Sequence, residues 1–94
     1  MKLVFSREAQ IDAALVNAEG IRLFGPKQAE TYQIGMREAL KAIQAFPLSS
    51  PERRCEDQIV RVRPFGAHLI IYAVDGETVS ILRIRHGRED WQSE

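Results

Sequence analysis

An α+β fold is predicted for this 94-residue chain by three observations. Two early segments carry apolar residues at three- and four-residue spacing, three later ones are short and either alternate or run apolar throughout, and Gly or Pro punctuation separates them. In chain order these read as a short N-terminal strand, an antiparallel helical hairpin and a three-stranded antiparallel meander, with helices covering one sheet face. The length allows one domain, residues 1–94, around one core. A hydrophobic fraction of 45% suffices to fill it.

Leu3, Val4 and Phe5 form the first strand, and Ser6 is a candidate N-cap for a helix beginning at Arg7. Ile11, Ala14, Leu15, Ala18 and Ile21 recur at helical spacing, which predicts that this stripe is buried and that Arg7, Asp12 and Glu19 face water. Phe24-Gly25-Pro26 breaks the chain, with Pro26 placed to start a second helix. There Ala29, Tyr32, Met36, Leu40 and Ile43 share a stripe that Phe46 extends, and Pro47 ends it. So short a link between two amphipathic helices implies an antiparallel pair.

Residues 48–58 have no apolar rhythm and read as a loop. Residues 59–63 alternate, with Val60 and Val62 on one side and Arg61 and Arg63 on the other. Pro64-Phe65-Gly66 turns the chain, residues 69–74 suit a central strand, and Asp75-Gly76 signals a hairpin. In residues 79–85, Leu82 and Ile84 are predicted on one face and Arg83 and Arg85 on the other, beside Val79 and Ile81. An apolar centre edged by cations and left uncovered by the helices is a candidate partner surface. Tyr72 on the central strand is expected in the core with its hydroxyl at an edge.

The formal net charge is zero, yet its distribution is uneven. Acidic residues are absent from residues 58–74 and 78–87, which carry Arg61, Arg63, Arg83 and Arg85, and all three lysines (Lys2, Lys27, Lys41) lie in the first half. Arginine favours planar contacts with carboxylates or phosphates, which marks a contact surface. Several classes are excluded. No apolar run approaches the roughly 20 residues of a membrane-spanning helix, and the first residues lack a signal-peptide layout, so a cytoplasmic protein is expected. Cys55 is the sole cysteine and reads as an incidental thiol. His68 and His86 stand apart from any ligand-spaced partner, so no metal and no cofactor is expected.

Gly66, His68, Ile70 and Tyr72 form a Gly-x-His-x-Ile-x-Tyr pattern, followed by Arg83-Ile84-Arg85-His86-Gly87-Arg88 with Asp90. With the Phe24-Gly25-Pro26 break and Ala45-Phe46-Pro47 at the end of the second helix, the chain resembles the ParE toxins of the RelE/ParE superfamily over nearly its whole length. One departure is the run Ala13 to Gly20, where many members carry an aromatic and a Tyr-Ile pair. The resemblance implies a type II toxin–antitoxin component that poisons DNA gyrase by binding, with no bond chemistry, or that acts on topoisomerase IV. It also implies a ParD-like antitoxin whose disordered segment folds onto the hairpin and sheet in a hetero-oligomeric complex. No sequence-specific nucleic-acid binding by the toxin alone is expected. The residues assigned to antitoxin or target are Arg61, Arg63, Val79, Ile81, Arg83, Arg85, His86, Arg88 and Trp91, with residues 83–91 the expected target contact.

Two alternatives stand beside this reading. A RelE-like ribosome-dependent mRNA endoribonuclease would need an acid, a base and cations facing the phosphate, a set that His86, Arg61, Arg83 and Arg85 would have to supply. Arginine does not readily release a proton, and neither lysine nor tyrosine occurs in the last strand or tail, so His86 would act nearly alone. The other alternative is an interaction domain without toxicity.

Overall fold

The computed structural model describes residues 1–88. Its elements are β1 (Lys2–Phe5), α1 (Arg7–Phe24), α2 (Pro26–Ala45), β2 (Glu52–Cys55), β3 (Gln58–Phe65), β4 (His68–Asp75) and β5 (Thr78–His86). They build one mixed sheet of order β1-β5-β4-β3-β2, in which β1 pairs parallel with β5 and the others pair antiparallel. The expected α+β architecture is observed, with the meander β3-β4-β5 at its centre. It gains a strand. Residues 52–55, expected as loop, fold back on β3 through a turn at Glu56 with φ 55, and this edge strand buries so little that no alternation marks it.

Ser6 caps α1 as expected, its Oγ accepting the Ala9 amide at 2.9 Å. The break between the helices uses Gly25 at φ 85 and Pro26 in the first turn of α2. On α2, Ala29, Met36, Leu40 and Ile43 are buried and Tyr32 is partly so. Phe46 does not extend that stripe: it is 70% exposed at the C-cap, where the chain has left the helical path.

The stripe expected to bury α1 faces outward instead. Ile11 and Leu15 are 51% and 62% exposed, and Ala14, Ala18 and Ile21 are exposed with them. The inward face is made of Ala9, Asp12, Ala13, Val16, Asn17 and Gly20. Small residues win because α1 lies close against its neighbours. A Cβ added at Gly20 would sit 3.5 Å from the Ala29 Cβ, so there is no room for isoleucine or leucine between the helices.

The main core joins Met36, Leu40 and Ile43 to Ile70, Tyr72, Val79, Ile81 and Ile84, with Leu3 and Phe5 packed alongside. Val79 and Ile81 are therefore beneath the helices and 0% exposed, which overturns the expectation of an open patch around them. Leu82 and Ile84 do not share a face either. The pairing of β4 with β5 shifts between Ile71 and Tyr72. Such a bulge leaves one residue extra and resets the two-residue period. Thus Ile81 and Ile84 both enter the main core, while Leu82 joins a second cluster with Val60, Val62, Leu69 and Ile71. Tyr72 is buried, with its hydroxyl donating to the Pro47 carbonyl at 2.9 Å, as expected.

Candidate functional site

The edge of β5 shows how α1 is fastened to the sheet. β1 covers that edge only as far as Ile81, and the next groups are satisfied by side chains. Ser6 Oγ donates to the Leu82 carbonyl at 2.7 Å, and the Asp12 carboxylate accepts the Ile84 amide at 2.9 Å. The same carboxylate receives Arg83 Nε at 2.8 Å and Nη2 at 3.1 Å. Such a fork-on-carboxylate pair is charge-assisted and orientation-specific. Asp12, expected in water, is a half-buried anchor, and Arg83 is engaged within the fold.

Arg61 is also engaged. It donates to the carbonyls of Ser50 and Leu48 and lies 3.9 Å from Glu52, stapling the segment before β2 onto β3. Arg63 is half-buried, and among the described residues its buried Nε has no hydrogen-bond partner. Strand register places Arg83 and Arg85 beside Ile71 and Leu69, and Arg53 of β2 beside Val60. An apolar centre flanked by arginines thus exists on the face away from the main core, built from residues other than those expected. It is closed: Val60, Val62 and Ile71 are 2%, 6% and 4% exposed.

At the opposite end of the sheet from Arg61, three ring side chains converge. The Tyr32 hydroxyl lies 2.7 Å from His68 Nδ1, accepts the Ala67 amide at 3.1 Å, and lies 3.2 Å from the Phe65 carbonyl. Its ring packs against Phe65 with centroids 5.0 Å apart and edge-on to His68 at 5.6 Å. His68 in turn meets His86 edge-on at 5.5 Å. The Arg88 amide donates to His86 Nδ1 at 3.1 Å, which makes that nitrogen an acceptor and puts the proton of the neutral ring on Nε2. Burial pushes the Tyr32 phenol above its ordinary range, against the opposing pull of the Ala67 amide, so the hydroxyl keeps its proton at neutral pH. These rings border a cleft of about 380 Å³ whose other wall is apolar, formed by Val16, Gly20, Leu23, Phe24 and Ala29. Leu23 and Phe24 also continue the exposed stripe of α1 to the cleft's rim.

The proposed nuclease set is not brought together. Arg61 lies in the row of Tyr72 and Ile81, and His86 in the row of His68, four rows farther along the sheet and two strands across from β3. At about 3.3 Å per residue along the strands and about 4.8 Å between strands, that is roughly 16 Å. Tyr32 is the residue that sequence reasoning placed in the core and missed as part of this cluster. The usable signal was chemical, since a tyrosine on a buried stripe needs a partner for its hydroxyl. Trp91 and Asp90 lie outside the described residues.

Residues 3–91 match the family described as the ParE toxin of the type II toxin–antitoxin system parDE. The chain belongs to the ParE toxin family. A solved structure described as the chromosomal ParDE TA system from P. aeruginosa is similar at 25% identity, covering 92% of this chain and 95% of that one with a TM-score of 0.77. No curated protein matches it. Set against this ParE framework, the Gly66–His68 and His86–Arg88 motifs are the two halves of the ring cluster. No helix among the described residues is long and apolar enough to cross a membrane.

Proposed function

We propose that this ParE-family toxin acts in the cytoplasm by binding DNA gyrase, holding the enzyme on cleaved DNA and blocking replication, without bond chemistry of its own. The observation that carries this reading is the dispersal of the cations. Arg83 is held by Asp12, and Arg61 is committed to backbone carbonyls on another part of the sheet from His86. Phosphoryl transfer needs acid, base and cations around one phosphate. A target-binding role needs only a surface, for which residues 83–91 remain the proposed contact, with Arg85, His86, Arg88 and Trp91 its side chains.

Neutralisation by a ParD-type antitoxin belongs to the same proposal. The outward stripe of α1, Ile11 to Ile21, is the exposed apolar surface such a segment would cover. It replaces Val79 and Ile81, which are buried. Arg7 near its N-terminal end suits an acidic segment that folds on binding, while Arg22 at the other end is paired with Glu19. The test is a supercoiling and cleavage assay with gyrase, plasmid, ATP and the toxin, with antitoxin added to a parallel tube. Cleaved plasmid that disappears with antitoxin is the expected result. Gyrase activity untouched by a folded toxin would reject the reading.

A further inference from the structure

We infer that Tyr32 is a positioning residue that sets how the chain leaves the sheet after β5. The inference rests on the proposal that residues beyond β5 contact the target. Ala67 is the connecting piece. Its N–H donates to the Tyr32 hydroxyl at 3.1 Å, and its carbonyl accepts the Gly87 amide at 2.8 Å. One residue of the β3-β4 turn therefore ties α2 to the first residue after β5.

The turn is built to admit the hydroxyl. Gly66 has φ 54, and a Cβ there would come within 2.5 Å of the Tyr32 oxygen, so only glycine lets the phenol reach the turn. The exit is tight on its other side too, since a Cβ on Gly87 would meet the Ala67 carbonyl at 3.3 Å. Beyond it, Arg88 is turned back by the bond from its amide to His86 Nδ1. His68 contacts both Tyr32 and His86, which places the hydroxyl, the turn and the exit in one contiguous set. A hairpin turn of two residues on the surface has little packing of its own to hold it. Tyr32 supplies the hold from a helix that the main core fixes.

Tyr32→Phe tests the inference, because it keeps the ring against Phe65 and removes only the hydroxyl. Amide exchange of Gly87 should quicken by about tenfold while exchange at Val79 and Ile81 stays as in the parent, the signature of local rather than global opening. The concentration of toxin that half-saturates gyrase cleavage should rise by about fivefold, with antitoxin affinity unchanged. Gly66→Ala, which displaces the hydroxyl without altering Tyr32, should also quicken Gly87 relative to the core amides. Unchanged Gly87 exchange in Tyr32→Phe would overturn the inference, as would a loosened Gly87 with full potency on gyrase. If the parent toxin does not touch gyrase, the functional proposal fails, and the exchange data still decide whether Tyr32 holds the exit.

Discussion

Asp12 offers the sharpest energetic test of how α1 is held. Asp12→Ala removes two things of unequal worth. The first is the carboxylate oxygen that accepts the Ile84 amide, on a strand edge that β1 no longer covers. Stranding such a donor costs about 1–3 kcal/mol. The second is the fork from Arg83, whose side chain is 38% exposed while that of Asp12 is 12% exposed. Solvent reaches the guanidinium, so this part is discounted to about 1 kcal/mol at most. The sum is about 1–4 kcal/mol, a substantial share of the 5–15 kcal/mol typical of a domain. At about 4–8 °C per kcal/mol, the midpoint should fall by at least about 4 °C. Arg83→Ala leaves the carboxylate on the Ile84 amide and should cost no more than about 1 kcal/mol. Calorimetry on both variants and the double variant reads the asymmetry. Equal losses from the two single substitutions, or a loss from Asp12→Ala below about 1 kcal/mol, would refute the reasoning.

Three further outcomes are expected. Leu15→Asp lies on the exposed stripe and should change stability by no more than about 0.5 kcal/mol, yet weaken antitoxin binding by at least about tenfold; calorimetric titration with unchanged affinity would remove α1 from that interface. Gly66→Ala should cost about 2 kcal/mol or more, from the left-handed φ plus the contact with Tyr32, whereas Gly76→Ala, with φ 60 but open space around it, should cost only about 1–2 kcal/mol; denaturant melts giving the reverse order would contradict the geometry. The Tyr32 phenol is pushed up in the folded state, so its contribution to stability is fully present below the ordinary tyrosine range and is lost as pH rises through the raised value. Tyr32→Phe should therefore flatten the alkaline limb of a stability–pH curve, and an unchanged limb would assign that decline elsewhere.

What was legible in the sequence follows from where large side chains go. The α2 stripe was readable because its partner is the sheet and its big residues fill that gap. The α1 stripe inverted because its neighbours are near enough to admit only small groups, so that the large apolar residues take the outward side. β2 was hidden because Glu52, Arg53 and Arg54 are exposed and Cys55 is only partly buried. A bulge leaves no composition signal, and it moved Leu82 away from Ile84. For the site, His86 and the arginines were visible as residue types. Their commitments were not, because Asp12 is 71 residues from Arg83 and Tyr32 is 36 from His68 in sequence.

Binding to gyrase, as proposed, and cutting of RNA leave different products in vitro. The most direct measurement runs one purified preparation through a gyrase cleavage reaction and a translating cell-free extract side by side. Linear plasmid in the first, reversed by antitoxin, with normal protein synthesis and intact messenger in the second, is the predicted result. Rapid loss of translation with codon-positioned messenger cuts and an untouched gyrase reaction would contradict the account and return His86 to the role of acid or base.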